Sequence, residues 1–82
     1  MTGDPDVRLW VEAVARDLVD HPETVEVRAV EEDGATVLEL LVDPQEMGRV
    51  IGRQGRTAQA LRTLLAVAGA KLGANYELEI LE

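Results

Sequence analysis

From Val7 onward apolar residues recur at helical spacing. Val7, Trp10, Val11, Val14 and Leu18 form one stripe, while Arg8, Glu12 and Arg16 stand i, i+4 apart on another face. Asp4 and Pro5 suit a cap and first helical position, and Asp6 favours the positive end of the dipole. The helix should stop near His21-Pro22, because a residue before proline is pushed out of the α region. Trp10, on the stripe, is expected to anchor the core, and His21 to complement the helix C-terminus. The period then drops to two. Val25, Val27 and Ala29 oppose Glu26 and Arg28 in one run; Leu38, Leu40 and Val42 oppose Val37, Glu39 and Leu41 in the next. Between them, Glu32-Asp33-Gly34-Ala35 has hairpin chemistry. The acids Glu31, Glu32 and Asp33 lack the alternating spacing of a calcium loop and read as a solvated turn.

Asp43-Pro44-Gln45-Glu46 opens a second helix with a capping aspartate, a proline at the first position and a glutamate three residues on. That helix carries Met47, Val50 and Ile51 inward and must end at Gly52. Gly48 within it costs about 1 kcal/mol relative to alanine. A close backbone approach is therefore expected there, by a packed helix in the first place or else by a ligand. A longer helix follows, with Ala58, Leu61, Leu64, Leu65, Ala68 and Leu72 as its buried stripe and Gly73-Ala74-Asn75 past its end. Tyr76, Leu78 and Ile80 then alternate with Glu77 and Glu79 as a final strand. The order is αββααβ. The first two strands make an antiparallel hairpin; the third returns through a two-helix crossover, parallel to the second. Strand 36–42, apolar on both faces, belongs in the middle. The expected fold class is α+β, a three-stranded mixed sheet covered on one face by three helices.

Size and composition narrow this picture. At 82 residues the chain makes one small domain, 1–82, with 1–5 expected as a flexible N-terminus. Residues of hydrophobic type make up 46%, enough for a core and too many for a disordered chain. Without cysteine there are neither disulfides nor thiolate metal sites, which fits a reducing interior. The acidic start, Met1 to Asp6, is no signal peptide, and the longest apolar run, Leu64 to Ala70, is too short for a bilayer. A cytoplasmic protein with no membrane partner is expected.

Net charge is −8, which speaks against a polyanionic partner until its distribution is seen. From Met47 to Asn75 there is no acid, and Arg49, Arg53, Arg56, Arg62 and Lys71 give +5. The remainder sets sixteen acids against Arg8, Arg16 and Arg28, a balance of −13 that restores the total of −8. On charge alone, a basic solvated face of the third helix accounts for this equally well. The glycines change the weighing. In Val50-Ile51-Gly52-Arg53-Gln54-Gly55-Arg56-Thr57, two glycines three apart allow a sharp turn and close approach to the main chain. The helix that follows points its free N–H groups back at the turn, and Arg53 and Arg56 add charge there. A Gly-x-x-Gly pair by itself arises about 0.4 times by chance in such a length, so the surrounding helices carry the weight.

Other chemistries fare poorly. With no serine, no cysteine and one histidine, the usual nucleophile and base pairings are missing, so catalysis is not expected. The glycine loop lacks the lysine and spacing of a P-loop and is not Gly-x-Gly-x-x-Gly. No cofactor and no metal are implied. A protein-interaction module stays open, because Ala60, Ala66, Val67, Gly69 and Ala70 flank the last helix and would allow a dimer seam.

Val50-Ile51-Gly52-Arg53-Gln54-Gly55, set between a short and a long helix and followed by Ala58 and Leu61, resembles the KH-domain signature, and the element order resembles its bacterial, type II arrangement. Val19-Asp20-His21-Pro22-Glu23, the Asp43-Pro44 helix start and the run Gly55-Arg56-Thr57 to Leu61-Arg62-Thr63-Leu64-Leu65 are similar to the small stand-alone KH proteins of bacteria (KhpA-like). The resemblance implies single-stranded RNA binding, with about four backbone nucleotides clamped by the loop. Carried over by motif position, Gly52 and Gly55 shape the clamp, and Arg53 and Gln54 meet phosphates. Arg56 and the N-terminal amides of its helix extend the anion site, Thr57 and Arg49 are further RNA-binding residues, and Val50 and Ile51 floor a groove for bases. It further implies an RNA chaperone or regulator, a homodimer, and a second KH-containing partner (KhpB-like) linked to cell shape and cell wall biogenesis. With one tryptophan, one tyrosine and no phenylalanine, base stacking cannot dominate. Two or three phosphate contacts imply a salt slope of about −1.4 to −2, hence weak, short-footprint binding by one copy.

Overall fold

The computed structural model describes residues 4–82, with side chains from Val7 onward. The expectations for residues 1–3 and for the side chains of Asp4, Pro5 and Asp6 lie outside the described residues. Helix α1 spans Asp4–Leu18, strand β1 Glu26–Glu32, strand β2 Ala35–Leu41, helix α2 Met47–Ile51, helix α3 Arg56–Leu72 and strand β3 Tyr76–Leu81. Single 3-10 turns occupy Pro22–Thr24, Pro44–Glu46 and Arg53–Gly55.

The hairpin is closed by two residues. Asp33 at φ 52° and Gly34 at φ 82° are both left-handed, the requirement of the turn whose twist matches its strands, and Glu32 pairs with Ala35. The sheet order is β1-β2-β3, with β1 antiparallel and β3 parallel to β2, as the crossover demands. Val27 pairs with Leu40, and Leu38 with Leu78, so these residues share one face. That face packs with Val11 and Ala15 of α1, Val50 of α2, and Leu61 and Leu65 of α3 in one core. The opposite face carries Glu26, Arg28, Glu39, Glu77 and Glu79. There Glu26 bonds the Arg28 guanidinium at 3.1 Å and raises its pKa, first by that hydrogen bond and then by charge.

Several expectations need correction. Trp10 is not a core anchor: it is 39% exposed, and Leu64 and Leu72 are each 51% exposed, although all three lie on expected buried stripes. α3 instead buries Ala58, Leu61, Leu65 and Gly69. Ala29 is also exposed, because β1 is an edge strand and only Val25 and Val27 lie deep. α1 ends at Leu18, so His21 does not close it but precedes the 3-10 turn at Pro22–Thr24. Gly48 has no packing neighbour among the described residues: a Cβ built there meets nothing of them within 4 Å.

The Asp43 cap is present, its carboxylate accepting the Gln45 N–H at 2.9 Å. Glu46, however, does not turn back to close a capping box. It is buried, and its carboxylate accepts the backbone N–H groups of Asp20 and His21. At the far end of α3, Gly73 (φ 70°) takes the left-handed position past the helix, and the Ala74 N–H donates to Gly69 O at 2.9 Å. A side chain at Gly69 would strike the Ala74 carbonyl, so this glycine permits the chain to fold back into β3.

Candidate nucleic-acid interface

The backbone of residues 52–55 explains why glycine stands at both ends. Gly52 (φ 81°, ψ 171°) lies in a region open almost only to glycine, and a Cβ there would collide with the Thr57 side chain and lie 2.9 Å from Thr57 N. Gly55 (φ 74°, ψ 13°) is left-handed with open space around it, and its N–H donates to Gly52 O at 3.1 Å. Gln54 between them is also left-handed, at φ 57° and ψ 25°. Three positive-φ residues in four thus fold the chain tightly between α2 and α3 and push the Arg53 and Gln54 side chains into solvent.

α3 starts immediately after this turn, and no side chain caps its N-terminus. Its first amide, Arg56 N–H, donates to Arg53 O, and the positive end of a 17-residue helix stands at the turn. Arg53 is exposed and its side chain has no partner among the described residues. Arg56 Nη2 donates to Gln54 Oε1 at 3.0 Å, so the two exposed side chains form one polar ridge. Arg49, on α2, is exposed and paired with Asp20 at 3.1 Å. Thr57 is half-buried beneath Gly52. Ile51 is half-buried, whereas Val50 is fully buried in the core and holds α2 in place beneath the loop.

The acid-free segment does not act as one patch. Arg62 turns away to donate to the Leu78 carbonyl at 3.2 Å, beside a cavity of about 290 Å³ lined by Arg62, Leu65, Tyr76, Glu77 and Leu78. Lys71 stands fifteen residues beyond Arg56, about 22 Å along the helix. It borders a groove of about 470 Å³ formed by Val7, Trp10, Leu64, Val67, Ala68 and Leu72. Three cations, Arg49, Arg53 and Arg56, therefore belong to the loop region, and two do not. Sequence reasoning missed the corner where Glu46 meets Asp20 and His21, with His21 Nδ1 3.6 Å from Glu46 Oε1. No periodic signal links residues 26 positions apart. Among the described residues no group of three or more histidines or acids stands where it could hold a metal ion.

Residues 8–80 match a family model described as "KhpA/KhpB, KH domain". "RNA-binding protein KhpA" of Aquifex aeolicus (strain VF5) is 51% identical over 72 residues, 88% of this chain and 91% of that one. The protein of the same name from Clostridium perfringens is 45% identical over 71 residues, covering 87% and 95%. That from Borreliella burgdorferi is 40% identical over 72 residues, covering 88% of each. Among solved structures, a single-residue variant of Aquifex aeolicus Era bound to GDP.AlF4- superposes over 92% of this chain with a TM-score of 0.63 at 18% identity. The chain spans 29% of that protein's length, and the likeness concerns the fold alone.

Proposed function

The chain belongs to the KhpA/KhpB KH-domain family, and we propose that it binds single-stranded RNA by gripping the sugar-phosphate backbone at the Gly52–Gly55 loop. The family is non-catalytic, and the chain is not an enzyme. One observation carries the proposal: at a single corner, two positive-φ glycines, the positive end of α3 and an Arg53 side chain without a partner among the described residues come together. Gly52 and Gly55 shape the clamp. Arg53 and Gln54 meet phosphates, Arg56, Thr57 and Arg49 extend the anion site, and Ile51 offers apolar surface over the buried Val50. The relatives' name, RNA-binding protein KhpA, supports the same reading.

With so few cations the grip is weak. A salt slope of about −1.4 to −2 is expected for two or three phosphates, and the acidic outer face of the sheet repels the rest of the strand. The test is Arg53→Asp with Gln54→Asp, followed by fluorescence anisotropy with a labelled oligoribonucleotide. Binding should be lost with the circular dichroism unchanged. Normal binding by this variant refutes the loop assignment, and nanomolar binding by a monomer at physiological salt refutes the weak-clamp account.

A second, compatible reading follows from the apolar groove. Trp10 (39% exposed), Leu64 (51%), Val67 (48%) and Leu72 (51%) crowd one flank of α1 and α3, a larger apolar surface than scattered exposed residues make. We propose that a second copy of this chain, or a KhpB-like KH protein in its place, covers this flank. Two weak clamps joined in this way gain avidity without any new RNA contact. Such an assembly would serve as an RNA chaperone or post-transcriptional regulator in the cytoplasm. Among the described residues no helix is long and apolar enough to cross a membrane.

A further inference from the structure

Glu46 and Arg49 stand three residues apart in the segment that leads into the glycine loop, and both reach the exit of α1. Glu46, buried, accepts the main-chain N–H of Asp20 and of His21. Arg49 Nη2 lies 3.1 Å from Asp20 Oδ2. The main chain of Asp20 is thus held by one neighbour while its carboxylate rests on the other. The three cations of the loop region differ in what occupies them. Arg53 has no side-chain partner among the described residues, Arg56 meets only the neutral amide of Gln54, and Arg49 is neutralised by a carboxylate.

A carboxylate offers a guanidinium two anionic oxygens, much as a phosphate does. The side chains of Arg49 and Asp20 are 57% and 62% exposed, so a nucleic-acid strand can reach the pair. We propose that Asp20 is an internal competitor of the RNA phosphate for Arg49, an acidic residue that holds down the affinity of the site by occupying one of its cations. This rests on the RNA-binding reading above. A staple that merely fixed α2 against α1 would act with the opposite sign: removing it would loosen the loop and weaken binding.

The experiment compares Asp20→Asn with Asp17→Asn, which changes net charge equally at an exposed α1 residue without a partner among the described residues. The probe is fluorescein-labelled octauridylate, read by anisotropy at several salt concentrations. Asp20→Asn should bind about 1.5- to 5-fold tighter than Asp17→Asn, the range set by exposed ion pairs. Its salt slope should steepen by about 0.7, the increment for one more neutralised phosphate. In an Arg49→Gln background the gain should vanish, because the pair acts as a unit. Equal affinity of the two aspartate variants, weaker binding by Asp20→Asn, or a gain that survives without Arg49 overturns the proposal. The two levels separate cleanly. If the Arg53→Asp, Gln54→Asp protein binds octauridylate like the wild type, the loop reading falls and this one with it. If that protein loses binding while Asp20→Asn equals Asp17→Asn, only the internal competitor falls.

Discussion

Replacing each loop glycine by alanine separates two sources of strain that differ between the two positions. Gly55 is left-handed with open space where a Cβ would stand, so Gly55→Ala meets only the backbone cost, about 1–2 kcal/mol. Gly52, at φ 81° and ψ 171°, sits in a region that costs a side-chain-bearing residue about 1–3 kcal/mol. Its Cβ would also strike the Thr57 side chain and approach Thr57 N at 2.9 Å, overpacking worth about 1–3 kcal/mol more. Gly52→Ala should therefore lose about 2–6 kcal/mol. At about 4–8 °C per kcal/mol for a domain of this size, Gly55→Ala should melt roughly 4–16 °C below the wild type and Gly52→Ala well below that. The assay is thermal and urea unfolding followed by circular dichroism. Thr57→Ala should rescue Gly52→Ala only in part, since it removes Oγ1 but leaves Thr57 N and the Cβ position, 2.7 Å away, in the path. Equal destabilisation at the two positions would refute the claim that contact with Thr57, and not φ alone, demands glycine at 52.

Two other outcomes are expected. Glu46→Ala leaves the Asp20 and His21 amides without their acceptor and should lower stability by about 1–3 kcal/mol for each amide kept from water; an unchanged urea midpoint would show that the buried carboxylate contributes nothing. Leu64→Glu, at a position 51% exposed, should leave the fold intact and shift sedimentation toward the monomer, while Trp10 fluorescence moves to the red as its covering is lost. A protein that is monomeric before the change would refute the self-association reading.

The legible parts of this molecule are those where a local backbone demand selects a residue type. Asp33-Gly34 closes the hairpin because both positions need positive φ, Gly73 ends α3 for the same reason, and Asp43 caps the segment before α2. The corner at Gly52 and Gly55 belongs with them. Strand order was equally accessible, since a two-helix crossover admits one hand and β2 alone is apolar on both faces. The positions that misled were long-range. The buried role of Glu46 and the pairing of Asp20 with Arg49 join segments with no periodic relation, and a capping-box spacing at Asp43 to Glu46 suggested a different use for the same carboxylate.

By itself, then, the order of residues determined the elements, their pairing, the turn types and the place of the glycine corner. Which apolar residues are covered was decided by tertiary structure. Three strands spaced about 4.8 Å apart put their outer axes only about 10 Å from each other, and a helix with its side chains is about 10–12 Å across. Two long helices cannot both bury a full stripe against so narrow a sheet. Val11, Ala15, Leu61 and Leu65 take the shared face, and Trp10, Leu64 and Leu72, on the same stripes, are left at the flank.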